Sequence, residues 1–221
     1  MESSGSNLFN RRNALRAVCG LATAFYTTKG AYADALSRTP SVEEGPFYPR
    51  KLLLDTDNDL VIVNDSITPA AGEVTELSGR LLDASGAPIR NAILEIWQVD
   101  NNAAYLEEAN RSFKSGFDGN FQGFGRFLTG STGEYLFRTI KPVPYRGRPA
   151  PHIHFKMKVK GNNAWTTQLF VRGHAGNERD GIYRRVREKE LVSVDFTPIE
   201  GAHAGELSAR FDIVMGITPR G

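Results

Sequence analysis

The sequence predicts an all-β protein, a sandwich or a barrel built from many short strands. From residue 74 onward the chain consists of short extended runs that glycine, proline and aspartate interrupt. No long stretch shows the hydrophobic period of a helix. With 221 residues, 40% of them hydrophobic and 24% charged, the chain can form one domain with a sizeable core.

The extended runs are predicted in order along the chain. The first, 74–83, ends in a turn-forming stretch at 84–88, and the second, 92–99, is apolar enough to be buried on both faces. The remaining runs are 135–140, 152–160, 165–172, 190–195 and 209–215. One glycine-rich segment is predicted to be a loop and contains Phe113, Phe117, Phe121 and Phe124.

Residues 1–33 predict an export signal that is removed from the mature protein. Arg11 and Arg12 precede a modestly apolar stretch, and Ala31-Tyr32-Ala33 has the pattern of a cleavage site. The paired arginines favour the twin-arginine route over an ordinary Sec signal. We therefore expect a periplasmic or extracellular protein with an irregular arm at 34–73 and a β-domain at 74–221.

Removal of this segment changes the charge and the cysteine content. It takes away four basic residues and one acid, so that 27 basic and 25 acidic residues become 23 and 24, a net charge of −1. Cys19 also lies there, so the mature chain would have neither a disulfide nor a thiolate ligand. Without a long basic run, nucleic acid is not an expected partner, and no membrane attachment is expected after signal removal.

The best candidate for a metal site is the pair His152 and His154. On a strand these residues project from one face, so both imidazoles can reach the same ion. The opposite face is apolar and packs on a core, which sets the register of the strand. By itself the pair equally fits two polar residues on a solvated strand face. Tyr145 favours a metal, because phenolate is a hard anionic ligand that suits ferric iron.

Several motifs follow one another in a characteristic order. They are Glu44-Gly45-Pro46-Phe47-Tyr48, Glu95-Ile96-Trp97-Gln98, Tyr105, residues 123–129, residues 133–142, Tyr145, His152, His154 and Thr167-Gln168-Leu169-Phe170. With these motifs the chain from about Ser41 to Arg172 resembles the intradiol ring-cleavage dioxygenases, the protocatechuate 3,4-dioxygenase type in particular. The resemblance implies an antiparallel β-sandwich whose catalytic domain is residues 74–221.

The resemblance also implies a cofactor and a reaction. The cofactor would be ferric iron, Fe(3+), held by Tyr105, Tyr145, His152 and His154. The enzyme would use O2 to cleave a catechol-type ring between its two hydroxylated carbons, giving a muconate-type dicarboxylic acid. Tyr145 would leave the metal when substrate binds and take up a proton. Catechol, protocatechuate, a hydroxyquinol and a lignin-derived catechol all fit the implied metal ligands.

Two further catalytic residues are implied. Gln168 matches the family glutamine that helps to orient the substrate. The family arginine stands three residues before the first ligand histidine, whereas Arg148 stands four residues before His152. We expect Arg148 to stabilise negative charge on the substrate, and Arg146 is the alternative.

Other residues and other functions compete with this interpretation. Tyr48 and Tyr135 are predicted to pack, and His174 and His203 to be structural or exposed. A cupin would need a glutamate and a third histidine at its own spacing, and a copper–zinc superoxide dismutase would need more than four histidines and a disulfide. A secreted β-sandwich that binds a metal or ligand with weak or no dioxygenase activity is the remaining alternative.

Overall fold

The computed structural model describes residues 36–64, 66–111, 116–201 and 205–216. The predicted export signal, Phe113 and His203 lie outside the described residues. Within those ranges, none of the helices is both long and apolar enough to cross a membrane.

The described residues contain short strands and little helix. The strands are β1 (Val74–Leu82), β2 (Ile93–Trp97), β3 (Phe124–Leu128), β4 (Glu134–Ile140), β5 (His152–Lys158), β6 (Trp165–Val171), β7 (Ser193–Val194), β8 (Phe196–Pro198), β9 (Leu207–Arg210) and β10 (Ile213–Val214). Helix α1 spans Leu106–Arg111, and 3₁₀ turns span Asn177–Arg179, Tyr183–Arg185 and Lys189–Leu191.

The strands form two five-stranded sheets. In sheet I, β1 pairs with antiparallel β4 on one side and with parallel β9 and β10 on the other, and β8 pairs with β9. Sheet II has the order β3-β2-β5-β6-β7 and is antiparallel except between β6 and β7. The all-β prediction is confirmed, although the three parallel pairs make both sheets mixed.

Side chains from both sheets share one hydrophobic core. Leu77 and Leu81 of β1 are fully buried in it, as are Ile153, Phe155 and Met157 of β5. The predicted apolar face of β5 therefore packs on the core. Because side chains alternate along a strand, the two histidines of β5 lie on the other face of sheet II.

The sequence-based strand prediction was wrong in three places. The predicted run 190–195 begins in the 3₁₀ turn at Lys189–Leu191, only Ser193–Val194 of it is a strand, and β8 (Phe196–Pro198) lies beyond it. Phe124, expected in a loop, is the first residue of β3. Its neighbour Gly125 has no side chain, so the sequence shows no alternation at this strand. A Cβ at position 125 would lie 2.5 Å from the Leu60 side chain, which accounts for the glycine. The predicted run 209–215 is two strands, β9 and β10, of which β10 pairs further along β1.

An N-terminal segment, residues 36–53, forms no helix or strand. Thr39 pairs with Val214 of β10 in sheet I, and the residues from Val42 onward lie against sheet II. The Val42 N–H donates to the Thr166 carbonyl (3.1 Å), and the Thr166 hydroxyl donates to the Val42 carbonyl (2.7 Å). Four of its apolar side chains pack around Trp97 and Tyr105: Phe47, Tyr48, Leu52 and Leu53. The histidine face of sheet II is thereby closed off from solvent, and His152 and His154 are each 2% exposed.

Candidate metal centre

The four predicted metal ligands lie together on the outer face of sheet II. The Tyr105 Oη atom is 3.4 Å from His152 Nε2 and 3.1 Å from His154 Nε2. The Tyr145 ring centroid lies 5.2 Å from that of Tyr105 and 5.6 Å from that of His152. Two phenols and two imidazoles from three separate segments therefore face a common point.

Tyr105 is held at the start of helix α1. Its N–H donates to the Glu108 carboxylate (2.9 Å), the backward half of a capping box. The turn before it is closed by the buried Asp100, which accepts from the Asn102 and Ala104 N–H groups at 2.9 Å. Phe47 stacks on the Tyr105 ring, with centroids 4.5 Å apart and planes 9° apart. These contacts leave the phenol oxygen directed at the histidines.

Tyr145 is held by a tight turn. Its N–H donates to the Arg148 carbonyl (3.1 Å), and the Arg148 N–H donates back to the Tyr145 carbonyl (2.9 Å). Gly147 supplies the positive φ of 91° that this turn needs. Tyr145 is partly exposed whereas Tyr105 is 1% exposed, so Tyr145 is the more accessible phenol.

The two imidazoles are oriented by different means. His152 Nδ1 lies 2.7 Å from the Ala150 carbonyl, so it carries the proton and leaves the Nε2 lone pair free. His154 stacks on Trp97, with centroids 4.7 Å apart and planes 8° apart. Its Nδ1 is buried without a hydrogen-bond partner among the described residues, so stacking orients this ring. Both Nε2 atoms point toward Tyr105.

Burial keeps all four groups uncharged in the absence of a cation. Burial and then the Arg148 charge lower the pKa of His152 to about 3. Burial, then His152 and Arg148, lower the pKa of His154 well below its usual value. Burial raises the pKa of the Tyr105 phenol well above 10, with the Tyr145 neighbour adding to the effect, and burial also raises the pKa of Tyr145. The imidazoles are thus ready metal ligands, and the phenolates need a cation.

The donor set fits a hard, highly charged metal ion. Among the described residues, no three His, Cys, Asp or Glu side chains form a metal-binding group, which leaves the two histidines in need of other ligands. Two phenolates and two neutral imidazoles suit ferric iron better than zinc or copper(I). A trivalent cation would also offset the burial that holds both phenols protonated.

Arg148 and Gln168 also meet at this site. Arg148 Nη2 donates to Gln168 Oε1 (2.8 Å), and Gln168 lies opposite His154 in the β5–β6 register. The positive charge of Arg148 also works against the burial that raises the pKa of Tyr145. Arg146 is exposed. The structure therefore brings Arg148 to the site despite the extra residue before His152.

The competing phenols and His174 lie elsewhere. The Tyr135 hydroxyl donates to the Phe211 carbonyl inside the core, and the Tyr48 hydroxyl donates to Glu95 (2.9 Å). His174 accepts a hydrogen bond from the Gly176 N–H (3.0 Å) in its own loop. None of the three side chains has a ring contact or hydrogen bond to the histidine pair in the described structure.

Two residues at the site had no individual signal in the sequence. Phe47 could be found only as a member of the motif at 44–48. Asp180, whose carboxylate accepts from Arg148 Nε (2.7 Å), is 32 residues away from its partner along the chain. An aspartate followed by glycine is typical of an ordinary turn, so nothing in the sequence distinguished it.

Comparison with known proteins agrees with this geometry. A sequence model of a family described as Dioxygenase matches residues 43–216. The chain is 30% identical over 182 residues to the protocatechuate 3,4-dioxygenase beta chain of Burkholderia cepacia, covering 77% of this chain and 76% of that protein. It is 26% identical over 216 residues to the hydroxyquinol 1,2-dioxygenase of Rhodococcus opacus, covering 84% of this chain and 65% of the relative.

A solved structure has the same fold. The intradiol ring-cleavage dioxygenase from Tetranychus urticae superposes with a TM-score of 0.65 at 20% identity, covering 84% of this chain and 97% of that one. The match extends the resemblance of residues 41–172 through the C-terminal strands. With its β-sandwich fold and these relatives, the chain belongs to the intradiol ring-cleavage dioxygenases, a family of oxidoreductases.

Proposed function

We propose that this chain binds one ferric ion through Tyr105, Tyr145, His152 and His154. The observation that carries the proposal is the position of the Tyr105 Oη atom, 3.1 and 3.4 Å from the Nε2 atoms of the two histidines. Each of these three atoms can offer a lone pair to one shared ion. Tyr145 completes a set of two oxygen and two nitrogen donors.

We further propose that the enzyme uses O2 to cleave a catechol-type ring between its two hydroxylated carbons. When bound, ferric iron supplies Lewis acidity toward both hydroxyl oxygens of the substrate, and the phenolate ligands favour the ferric state. Family membership supports this reaction class. Catechols of several kinds fit this donor set.

The chain itself supplies a base and a positive charge. A catechol must lose two protons to bind a metal through both oxygens. The Tyr145 phenolate can accept one of them at Oη, and solvent takes up the other. Tyr145 suits this task because it is the less buried of the two phenols. Arg148 is 12% exposed and carries its charge beside the site, where it would stabilise negative charge on the deprotonated ring.

Gln168 is held where it can orient the substrate. Its Nε2 donates to the Glu43 carbonyl (2.9 Å), and its Oε1 accepts from Arg148. The Glu43 carbonyl thus holds the amide nitrogen of Gln168, and Arg148 holds its amide oxygen. With both ends held, the amide cannot turn freely, which is the condition for precise placement of a bound ring.

The colour of the iron-loaded protein tests the metal assignment. Ferric iron bound by tyrosinate should give a reddish protein, and catechol added without oxygen should move the absorption band to longer wavelength. Tyr105→Phe should weaken the band or abolish iron binding, whereas the control Tyr183→Phe, whose hydroxyl contacts Ser193 instead, should leave it unchanged. A colourless protein that takes up zinc in preference to iron would contradict the assignment.

We also propose that residues 1–33 export the protein, with Arg11 and Arg12 as the recognised pair. Replacing both arginines by lysine should leave the protein in the cytoplasm while the wild-type protein reaches the periplasm or medium. Immunoblots of cell fractions would show this. Export that continues after the double substitution would argue for the Sec route or for none.

A further inference from the structure

Arg148 is anchored by a buried carboxylate. Its Nε donates to Asp180 Oδ2 at 2.7 Å, and its Nη2 donates to Gln168 Oε1 at 2.8 Å. The Asp180 side chain is fully buried and that of Arg148 is 12% exposed, so water competes little for this pair. Two hydrogen bonds from different edges of the guanidinium fix the direction of its plane.

The orientation of Asp180 does not depend on Arg148. Its Oδ1 atom accepts from the Ile182 N–H (2.9 Å) and the Tyr183 N–H (3.0 Å), which begin the 3₁₀ turn at Tyr183–Arg185. The carboxylate is therefore held by its own segment through one oxygen and presents the other to Arg148. An acceptor fixed in this way can position a flexible arginine instead of following it.

The segment that contains Asp180 also contacts the loop between Arg148 and His152. Gly176 approaches the backbone of Pro149 so closely that a Cβ on it would lie 1.9 Å from the Pro149 carbonyl oxygen. Asp180 Oδ2 also faces the Ala150 N–H at 3.4 Å. Residues 176–180 therefore contact the peptide that joins Pro149 to Ala150, in the loop between Arg148 and His152.

We propose that Asp180 is the positioning residue that aims Arg148 at the candidate metal centre. Arg148 lies in a turn outside the named strands, and Asp180 supplies a fixed acceptor that orients its side chain. The direction of the guanidinium matters at the site, because its Nη2 donates to Gln168, which lies opposite His154 in the β5–β6 register. The catalytic part of this proposal rests on the proposed ring cleavage.

The contact can be tested without iron or turnover. In the ¹⁵N-labelled metal-free protein, the Arg148 Nε–H should give a slowly exchanging NMR cross-peak, assigned by its loss in Arg148→Lys. Asp180→Asn should abolish the slow exchange, because the single amide oxygen would stay with the Ile182 and Tyr183 N–H groups and the NH₂ then facing Arg148 cannot accept from Nε–H. Asp212→Asn, in a partly exposed pair with Arg210, should leave the peak unchanged. A peak that persists in Asp180→Asn would overturn the proposal.

The functional consequence is tested with the iron-loaded protein. Asp180→Asn should lower kcat about 10- to 100-fold while iron content stays that of the wild type, as expected for a partner that orients a residue at a metal site. In an Arg148→Ala background the same change should cost little more, because the residue it positions is gone. An equal loss in both backgrounds would show that Asp180 acts through the fold and would refute positioning.

Arg148→Lys covers the case in which Asp180→Asn does not fold. It leaves Asp180 and its cap bonds intact, keeps the charge, and cannot hold Asp180 and Gln168 in the same planar fork. We expect it to lower kcat about as much as Asp180→Asn, and wild-type turnover would contradict the proposal. A wild-type protein that cleaves no catechol would refute the proposed function, whereas the NMR result judges the Asp180 contact separately.

Discussion

Replacing Glu95 by glutamine should lower the free energy of unfolding, because the buried Glu95 carboxylate accepts hydrogen bonds from three side chains. Its Oε1 accepts from Arg126 Nη2 (2.9 Å) and Lys158 Nζ (2.8 Å), and its Oε2 accepts from the Tyr48 hydroxyl (2.9 Å). Glu95 lies two residues before Trp97 on β2, and Trp97 stacks on His154. The cluster thus supports the outer face of sheet II next to the candidate metal centre.

The expected loss is about 3 kcal/mol of unfolding free energy. Breaking a buried ion pair by removing one partner costs roughly 3–5 kcal/mol, because the remaining charge loses its counterion. The lower end applies here, since the side chains of Arg126 and Lys158 are 41% and 39% exposed and water can rehydrate them. For a domain of this size, that loss corresponds to a melting temperature lower by about 6–12 °C.

The pH dependence has a definite sign. Burial raises the pKa of Glu95, but hydrogen bonds from Lys158, Tyr48 and Arg126 outweigh it, so the net pKa in the folded protein is lowered. The stabilisation is therefore present above the unfolded-state pKa of about 4.3 and is lost as pH falls through the folded-state pKa. The difference in unfolding free energy between the wild type and Glu95→Gln should therefore become smaller below about pH 4.

Urea denaturation of the metal-free protein at pH 7 and at lower pH measures both effects. Asp212→Asn is the matched control, because its pair with Arg210 is partly exposed and should contribute less than about 1 kcal/mol. The reasoning would be refuted if Glu95→Gln were within about 0.5 kcal/mol of wild type at pH 7. A gap that stays constant as pH falls would equally contradict it.

Three other outcomes are expected. Gly176→Ala should cost about 1–3 kcal/mol of stability, because its Cβ would meet the Pro149 carbonyl. The control Gly181→Ala, whose Cβ would meet nothing within 4 Å, should melt like the wild type. Equal melting temperatures for the two variants would contradict the close approach. Phe47→Leu removes the ring stacked on Tyr105 and should weaken ferric iron binding about tenfold in a competition titration, and unchanged affinity would show that stacking does not position the phenol. Ferric iron at about 100 times its dissociation constant should stabilise the protein by about 2.7 kcal/mol, and an unchanged melting temperature would speak against a metal site.

The strand prediction succeeded where side chains alternate and failed where glycine removes the pattern. The alternation of Ile153, Phe155 and Met157 indicated which face of β5 is buried, and the structure confirms it. Strand β3 was missed because Gly125 has no side chain to contribute to an alternation. This strand joins sheet II by pairing with β2, and the Leu60 side chain, far away in sequence, packs closely against Gly125.

The site shows the same division between local and distant information. The motifs named Tyr105, Tyr145, His152 and His154 as ligands, and the fold brings all four together. The sequence favoured Arg148 but left Arg146 as an alternative. The choice depends on a turn that directs Arg148 inward and on a carboxylate from another loop.

By itself, the sequence determined the all-β class, the co-facial histidine pair and the family to which the chain belongs. Strand periodicity and motifs a few residues long are local patterns, so they can be recognised from the sequence without the tertiary structure. Only the tertiary structure decided that residues 47–53 cover the site, that Phe47 stacks on Tyr105, and that Asp180 holds Arg148. Each of these contacts joins segments separated by 30 or more residues, so no local pattern in the sequence records it.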